Sequence, residues 1–299
     1  MSTLTYAQSI VLGALQGVTE LFPISSLGHS VLLPAWIGGA WQDLVTEGDS
    51  KTGTPFLAFI VALHVATAVA LLCFYWRDWV ELISAFVITL RTRRAETATQ
   101  KMAWMIIVAT IPVGVVGLAL DKPLRHLFAK PVAAAVFLTI NGIILATVEI
   151  LRRRQARLAA DRPSWDGPRE EREITSLSYT EAGGIGSLQI LALFAGISRS
   201  GVTIVGGLLR GLNHEDAAKF AFMLATPVIL AAGLLKVPEL AGPQGHGIHG
   251  QIIVGAIVAF VAAFVSVKFL TKFFTTKTLT PFAIYCLVAG AASIIRFAF

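Results

Sequence analysis

Residues 15–30 read LQGVTELFPISSLGHS. This stretch places an acid, a histidine and several hydroxyls around a Phe22-Pro23 break, inside a chain that is otherwise mostly apolar. Gln16 and Glu20 stand four residues apart, so a helix carries both on one face. Pro23 stops that helix. Ser25 or Ser26 is then a natural N-cap for a second helix. Gly28 allows close backbone approach, and His29 falls in the first turn of the new helix.

The surroundings of the stretch set the fold class. The 299-residue chain is 55% hydrophobic and 14% charged, with mean hydropathy +0.73, against about 25% charged in a soluble domain. Apolar runs near 55–76, 102–120, 131–151, 216–237, 251–270 and 279–298 are each long enough to cross a ~30 Å hydrocarbon core as a helix. Two further apolar stretches, 6–40 and 181–212, are interrupted by Gly, Pro and Ser. Residues 1–9 lack the positive segment of a secretory signal. Cys73 and Cys286 each lie within an apolar run and read as small packing residues, not as a disulfide.

The net charge of +6 is distributed along membrane flanks, which argues against nucleic acid. If the six spans alternate and each broken stretch enters and leaves on one side, 17 Lys and Arg fall on one face. They lie in the loops 77–101 and 152–180, beside 210–219, and at 268–277. Lys51, Lys122, Arg125, Lys130, Lys236 and Arg296 fall on the other face, and Arg199 is left over. This asymmetry places the basic loops in the cytoplasm and both termini outside.

Residues 188–201, LQILALFAGISRSG, overlay residues 15–28 in a shared frame: Leu-Gln, seven residues, Ile-Ser, two residues, Gly. Each stretch is a short apolar helix, a break and a second apolar helix, followed by full spans. The expected architecture is therefore an all-α integral membrane protein with six transmembrane helices and two re-entrant hairpins in an inverted repeat. Repeat one covers about 1–151 with its hairpin at 6–40. A cytoplasmic loop covers 152–180. Repeat two covers about 181–299 with its hairpin at 181–212.

Irregular backbone at membrane depth is tolerated only inside protein or beside a wet cavity, so both breaks are expected to face one volume. In the second break Gly196 ends one half-helix, Ser198 or Ser200 caps the next, Arg199 sits between them, and Thr203 lies one turn on. Two helix N-termini and a buried arginine favour an anion. Glu20, His29 and the hydroxyls add acid–base or nucleophilic capacity. His64, alone in a span, reads as packing or a helix–helix hydrogen bond. Asn141 and Glu149 have no assignable role. The run Arg152–Arg154 reads as a cytoplasmic stop signal, and His246 with His249 as a loop pair poorly suited to a metal.

QGVTELFPISSLGH resembles the first motif of the undecaprenyl-diphosphate phosphatases of the bacitracin-resistance type, (E/Q)GxTEFxPxSSxGH. AGISRSGVT resembles their second, PGxSRSGxT, and FAFMLATPVI and PFAIY resemble further segments in the same order. The resemblance covers essentially the whole chain. It implies a multi-pass enzyme of the bacterial cell membrane, its site open toward the outer face. Such an enzyme hydrolyses undecaprenyl diphosphate to the monophosphate, the lipid carrier for peptidoglycan precursors, and thereby confers bacitracin resistance. Carried over residue by residue, the family's functional positions fall on Gln16, Glu20, Ser26, His29, Ser198, Arg199 and Thr203.

The resulting expectation makes Glu20, Ser26, His29 and Arg199 catalytic. Gln16, Ser25, Gly28, Ser198, Ser200, Gly201 and Thr203 bind substrate, and Glu20 with Gln16 holds a divalent cation, Mg²⁺ or Ca²⁺. Ser26 or a water is the attacking group, with His29 as base or leaving-group acid. The partner is a membrane lipid, a polyprenyl diphosphate, with no nucleic acid and with homodimerisation left open. The sequence departs from the family pattern at Gln16 (often Glu), Ala195 (usually Pro), Leu27 and the segment IVALHVATA. A transporter or flippase using the same anion site is the main competing reading. The acid-phosphatase-like lipid phosphatases fit poorly, because the position six residues after Arg199 is Val205 where that class needs a histidine.

Overall fold

A computed structural model describes residues 4–46, 55–128, 130–160, 171–241 and 247–299. Lys51, Arg162, Arg169 and His246 lie outside the described residues. The described chain is helical, with no strand beyond one isolated bridge between Arg172 and Leu212. Twelve α-helices follow one another among the described residues. Helices α1 (Tyr6–Thr19) and α2 (Ser26–Ile37) flank the first break, and a short α3 (Ala40–Thr46) follows. Next come α4 (Pro55–Phe74), α5 (Trp76–Thr92), α6 (Ala98–Phe128) and α7 (Pro131–Ala160). Helices α8 (Tyr179–Leu188) and α9 (Arg199–Leu209) flank the second break, with a 3-10 turn Gln189–Leu193 extending α8. The chain ends in α10 (His214–Ala241), α11 (His249–Phe274) and α12 (Thr280–Ala298).

Six of these helices, α4, α6, α7, α10, α11 and α12, are long and apolar enough to cross a membrane, matching the six expected runs. At 1.5 Å rise per residue, the 14- and 12-residue helices α1 and α2 are too short to do so. The same holds for α8 and α9. Polar side chains lie inside and apolar ones outside. Gln16, Glu20, Ser25, Ser26, His29, Asn141, Ser198, Ser200 and Thr203 are all buried. Ile111, Val115 and Leu118 of α6, Ile253, Ile257 and Val261 of α11, and Ile284 and Val288 of α12 are exposed. This is the distribution that lipid imposes.

The two halves of the chain are packed through each other. Helix α1 runs along α11, α8 along α6, α7 along α12, and α4 against both α10 and α11. The α1–α11 contact is close because Gly17 has no side chain: a Cβ there would collide with the carbonyl oxygen of Ala259 and with Ala262. Small residues that let backbones approach are the usual glue of helices in lipid.

Two expectations are corrected by the fold. Residues 77–101 read as a loop, yet Trp76–Thr92 is the helix α5. Its charges concealed an amphipathic pattern, with Leu82, Ala85 and Thr89 buried and Trp76, Val80, Ile83, Val87 and Leu90 exposed. Asp78 pins it to α10 through Lys219 at 2.7 Å. Cys73 is exposed instead of packed within the protein, while Cys286 is buried, and both are free. The basic segment after α7 is also more ordered than a stop signal requires. Arg152 donates to the Leu212 carbonyl and to Glu171, each at 2.8 Å. Arg172 grips Glu181 at the start of α8 at 2.8 Å, and this hydrogen bond holds the Glu181 carboxyl down to about 2.

Replacing Gly17 by valine is expected to overpack the α1–α11 seam and cost about 1–3 kcal/mol. A lowered midpoint of thermal unfolding in detergent measures it, and an unchanged midpoint would contradict the close approach.

Candidate functional site

The first break positions its residues through caps. Glu20 is the C-terminal residue of α1's hydrogen bonding, its N–H donating to the Gln16 carbonyl at 3.0 Å. Ser25 caps α2, its Oγ accepting from the Gly28 N–H at 3.3 Å. Its φ of 72° lies in the left-handed region, which is uncommon outside glycine. The same Oγ accepts from the Gly196 N–H across the site at 3.1 Å, a contact that fixes this conformation. Ser198 caps α9 by accepting from the Gly201 N–H at 3.1 Å. Gly196, with φ 115°, makes the turn before it. Of the alternatives open in the sequence, Ser25 and Ser198 are thus the caps.

The two breaks touch. A Cβ on Gly28 would collide with the backbone of Gly196. Asn141 of α7 lies between them, its Nδ2 donating to the Pro23 carbonyl at 3.0 Å and its Oδ1 accepting from the Ser198 N–H at 3.0 Å. The hydroxyl of Ser200 reaches Ser198 Oγ at 3.0 Å and the Phe22 carbonyl at 3.3 Å. These are the polar backbone groups that a broken helix leaves behind, and they are satisfied mostly from the other half of the chain, the Pro23 carbonyl from Asn141 of its own half.

Four side chains converge on the Glu20 carboxylate. Arg199 donates to Oε1. Ser26 donates its hydroxyl proton to Oε2. Gln16 Nε2 donates to Oε2 at 3.0 Å. His64 Nε2 lies 3.2 Å from Oε2. The carboxylate itself is only 4% exposed, while Arg199 is 19% and His64 16% exposed. A ligand therefore reaches this cluster from the arginine and imidazole side.

His64, expected as packing or a helix–helix hydrogen bond, is thus such a bond with Glu20 as its partner, which brings it into the site. His29 has both ring nitrogens engaged by groups other than Ser26. Its Nδ1 donates to the Ser25 carbonyl at 2.7 Å, and its Nε2 meets the Tyr285 hydroxyl at 2.7 Å with the rings stacked. Thr203 is buried but turns its hydroxyl back onto the Arg199 carbonyl at 2.8 Å. Gly201 sits against Ser198 and Pro23. Asn141, His64 and Tyr285 are the residues of this centre that the sequence did not place in the site. A polar side chain within an apolar span was the available signal for the first two. Glu149, also unassigned, joins His214 at 2.7 Å and the Leu279 N–H at 2.9 Å, tying α7 to α10 and α12.

The donor set admits a divalent cation only with help. Among the described residues no three His, Cys, Asp or Glu side chains form a metal-binding group. Glu20 offers one carboxylate. Gln16 Oε1 is buried without a hydrogen-bond partner and offers a neutral oxygen. One or two protein oxygens completed by phosphate and water is the usual arrangement for Mg²⁺ at a phosphate site, so the residues fit a cation that arrives with a phosphorylated ligand.

Asn141→Leu is expected to leave the Ser198 N–H and the Pro23 carbonyl unpaired, at about 1–3 kcal/mol each. Asn141→Asp keeps the acceptor and loses the donor, so thermal unfolding in detergent ranks wild type above Asp and Asp above Leu. Equal midpoints for all three would remove Asn141 as the bridge.

A family model described as Bacitracin resistance protein BacA matches residues 9–292. The chain is 54% identical over 341 residues to a Frankia alni protein named Undecaprenyl-diphosphatase 2, across 100% of this chain and 99% of the relative. It is 54% identical over 299 residues to Undecaprenyl-diphosphatase of Mycolicibacterium paratuberculosis, across 98% and 97% of the two chains. It is 38% identical over 292 residues to Undecaprenyl-diphosphatase 2 of Chromobacterium violaceum, across 96% and 97%.

Proposed function

The chain belongs to the bacitracin resistance protein BacA family, and on that premise we propose that it hydrolyses undecaprenyl diphosphate to undecaprenyl phosphate and inorganic phosphate in the bacterial cell membrane. The observation that carries this reading is the shared Glu20 carboxylate: an arginine from one break and a serine hydroxyl from the other meet on it. Relatives named for the same hydrolysis, similar over the full chain, support the substrate. A transporter needs the arginine for the anion but has no use for a hydroxyl proton aimed at a carboxylate.

In this reading the lipid tail lies along the apolar spans and the diphosphate enters from the Arg199 side. Arg199 spends one N–H on Glu20 and keeps further donors of its planar fork for phosphate oxygens. The N-terminal ends of α2 and α9, whose first-turn N–H groups are not all used by the caps, add positive potential. Ser26 Oγ attacks the terminal phosphorus, and its proton passes to Glu20, to which it is already hydrogen-bonded. The bond from that phosphorus to the bridging oxygen breaks, and the lipid monophosphate leaves with the electron pair. Water then cleaves the phosphoserine and regenerates Ser26. Catalysis in such transfers is mostly positioning and charge stabilisation. His29, held by Ser25 and Tyr285, positions the first turn of α2 and does not serve as the base for Ser26. A divalent cation bound with the substrate would be held by Glu20 and Gln16 and would neutralise charge on the diphosphate.

The two breaks are read as re-entrant hairpins of an inverted repeat, supported by their short helices, by their overlaid sequences and by the packing of α1 on α11 beside that of α8 on α6. The basic asymmetry of the flanks supports a site opening toward the outer face.

Phosphate release from undecaprenyl diphosphate by the detergent-purified protein tests the function. Release is expected to be abolished by EDTA and to fall by more than about tenfold in Glu20→Ala and in Ser26→Ala. No release by folded protein supplied with divalent cations would overturn the function. Near-normal turnover in Ser26→Ala would replace the serine by water as the attacking group.

A further inference from the structure

His64 turns one ring nitrogen to its own helix, as His29 does, and the other to a buried carboxylate. Its Nδ1 lies 2.8 Å from the Ile60 carbonyl oxygen. That oxygen can only accept, so Nδ1 carries the proton. Nε2 is thereby directed at Glu20 Oε2, 3.2 Å away, and that oxygen is also an acceptor. Two lone pairs do not sit comfortably face to face at that distance inside a protein. Something positive belongs between them, either a second ring proton or a bound cation.

A second ring proton would make His64 an additional cation on a carboxylate already paired with Arg199 and already accepting from Ser26 and Gln16. A cation accounts for more of the geometry. A metal-bound histidine characteristically donates its other ring N–H to a backbone carbonyl, which fixes the tautomer and aims the free nitrogen. The Ile60 contact is that arrangement. A separation of 3.2 Å is also close to the edge of an octahedron whose bonds are about 2.2 Å long. Gln16 is fully buried, and its Oε1 has no hydrogen-bond partner. An amide oxygen so placed is costly unless something takes it up.

We propose that His64 Nε2 is a nitrogen ligand of the site's divalent cation, with Glu20 Oε2 and Gln16 Oε1 as the other protein donors. This deepens the hydrolase reading above, on which it rests. Oxygen donors suit Mg²⁺, Ca²⁺ and Mn²⁺ and an imidazole suits Zn²⁺, Cu²⁺, Fe²⁺ or Ni²⁺, so two oxygens and one nitrogen make a mixed site. Mn²⁺, which takes oxygen ligands as Mg²⁺ does and carries unpaired electrons, reports that nitrogen, and the remaining positions are left for water and diphosphate oxygens.

The test uses Mn²⁺ alone on the detergent-purified full chain. Electron-spin-echo spectra of bound Mn²⁺ are expected to show nitrogen modulation. The pattern changes when the wild-type protein is made with ¹⁵N-histidine, a measurement that depends on no variant folding. His64→Gln is expected to abolish the modulation and to weaken Mn²⁺ binding by about tenfold or more. Bound Mn²⁺ without histidine nitrogen coupling, no Mn²⁺ binding, or unchanged Mn²⁺ affinity in His64→Gln would each overturn the proposal. Phosphate release by the same preparation separates the two readings. Release without nitrogen coupling sinks the His64 ligand and leaves the hydrolase. Nitrogen coupling without release sinks the hydrolase and leaves the metal site.

Discussion

A helix broken among apolar spans leaves backbone N–H and C=O groups that lipid cannot satisfy. The structure answers that constraint twice, and each break is satisfied largely by the other half of the chain. Asn141 accepts from one break and donates to the other. Ser25 of the first caps its own helix and accepts from Gly196 of the second. Ser200 of the second reaches back to the Phe22 carbonyl. The polar centre is thus a consequence of the breaks, and the breaks are stable only because they meet. Holding them together also brings Glu20 and Ser26 to Arg199, so the interaction that closes the fold assembles the candidate site.

Much of this was legible locally. Six apolar runs became six long helices because span length and hydropathy are properties of one segment. Pro23, Gly196 and the serines behind them marked the breaks because caps and stops act within a few residues. Gln16 and Glu20 were paired by helical spacing alone, and the hydrogen bond between them follows. The family motifs placed Ser26 and Arg199 at the same centre, and the structure puts both on Glu20.

What was not legible was partnership across the chain. Asn141 meets Pro23 and Ser198 over separations that no periodicity reports. His64 stood alone in a span, and only the packing of α4 against α1 shows its partner. His29 was expected as a base for Ser26 or as an acid for the leaving group. The ring instead turns to Tyr285 of α12, which sequence spacing could not reveal. Helix α5 was hidden for a different reason: Arg77, Asp78, Glu81 and Arg91 made an amphipathic surface helix resemble a charged loop.

The central claim is that one carboxylate couples the two breaks into a single site. A double-mutant cycle of Glu20→Gln and Arg199→Gln, read as phosphate release from undecaprenyl diphosphate by folded protein, tests it most directly. If the residues act as a unit, the double variant is no slower than the worse single variant. If the two losses multiply, Glu20 and Arg199 act independently and a shared site is contradicted.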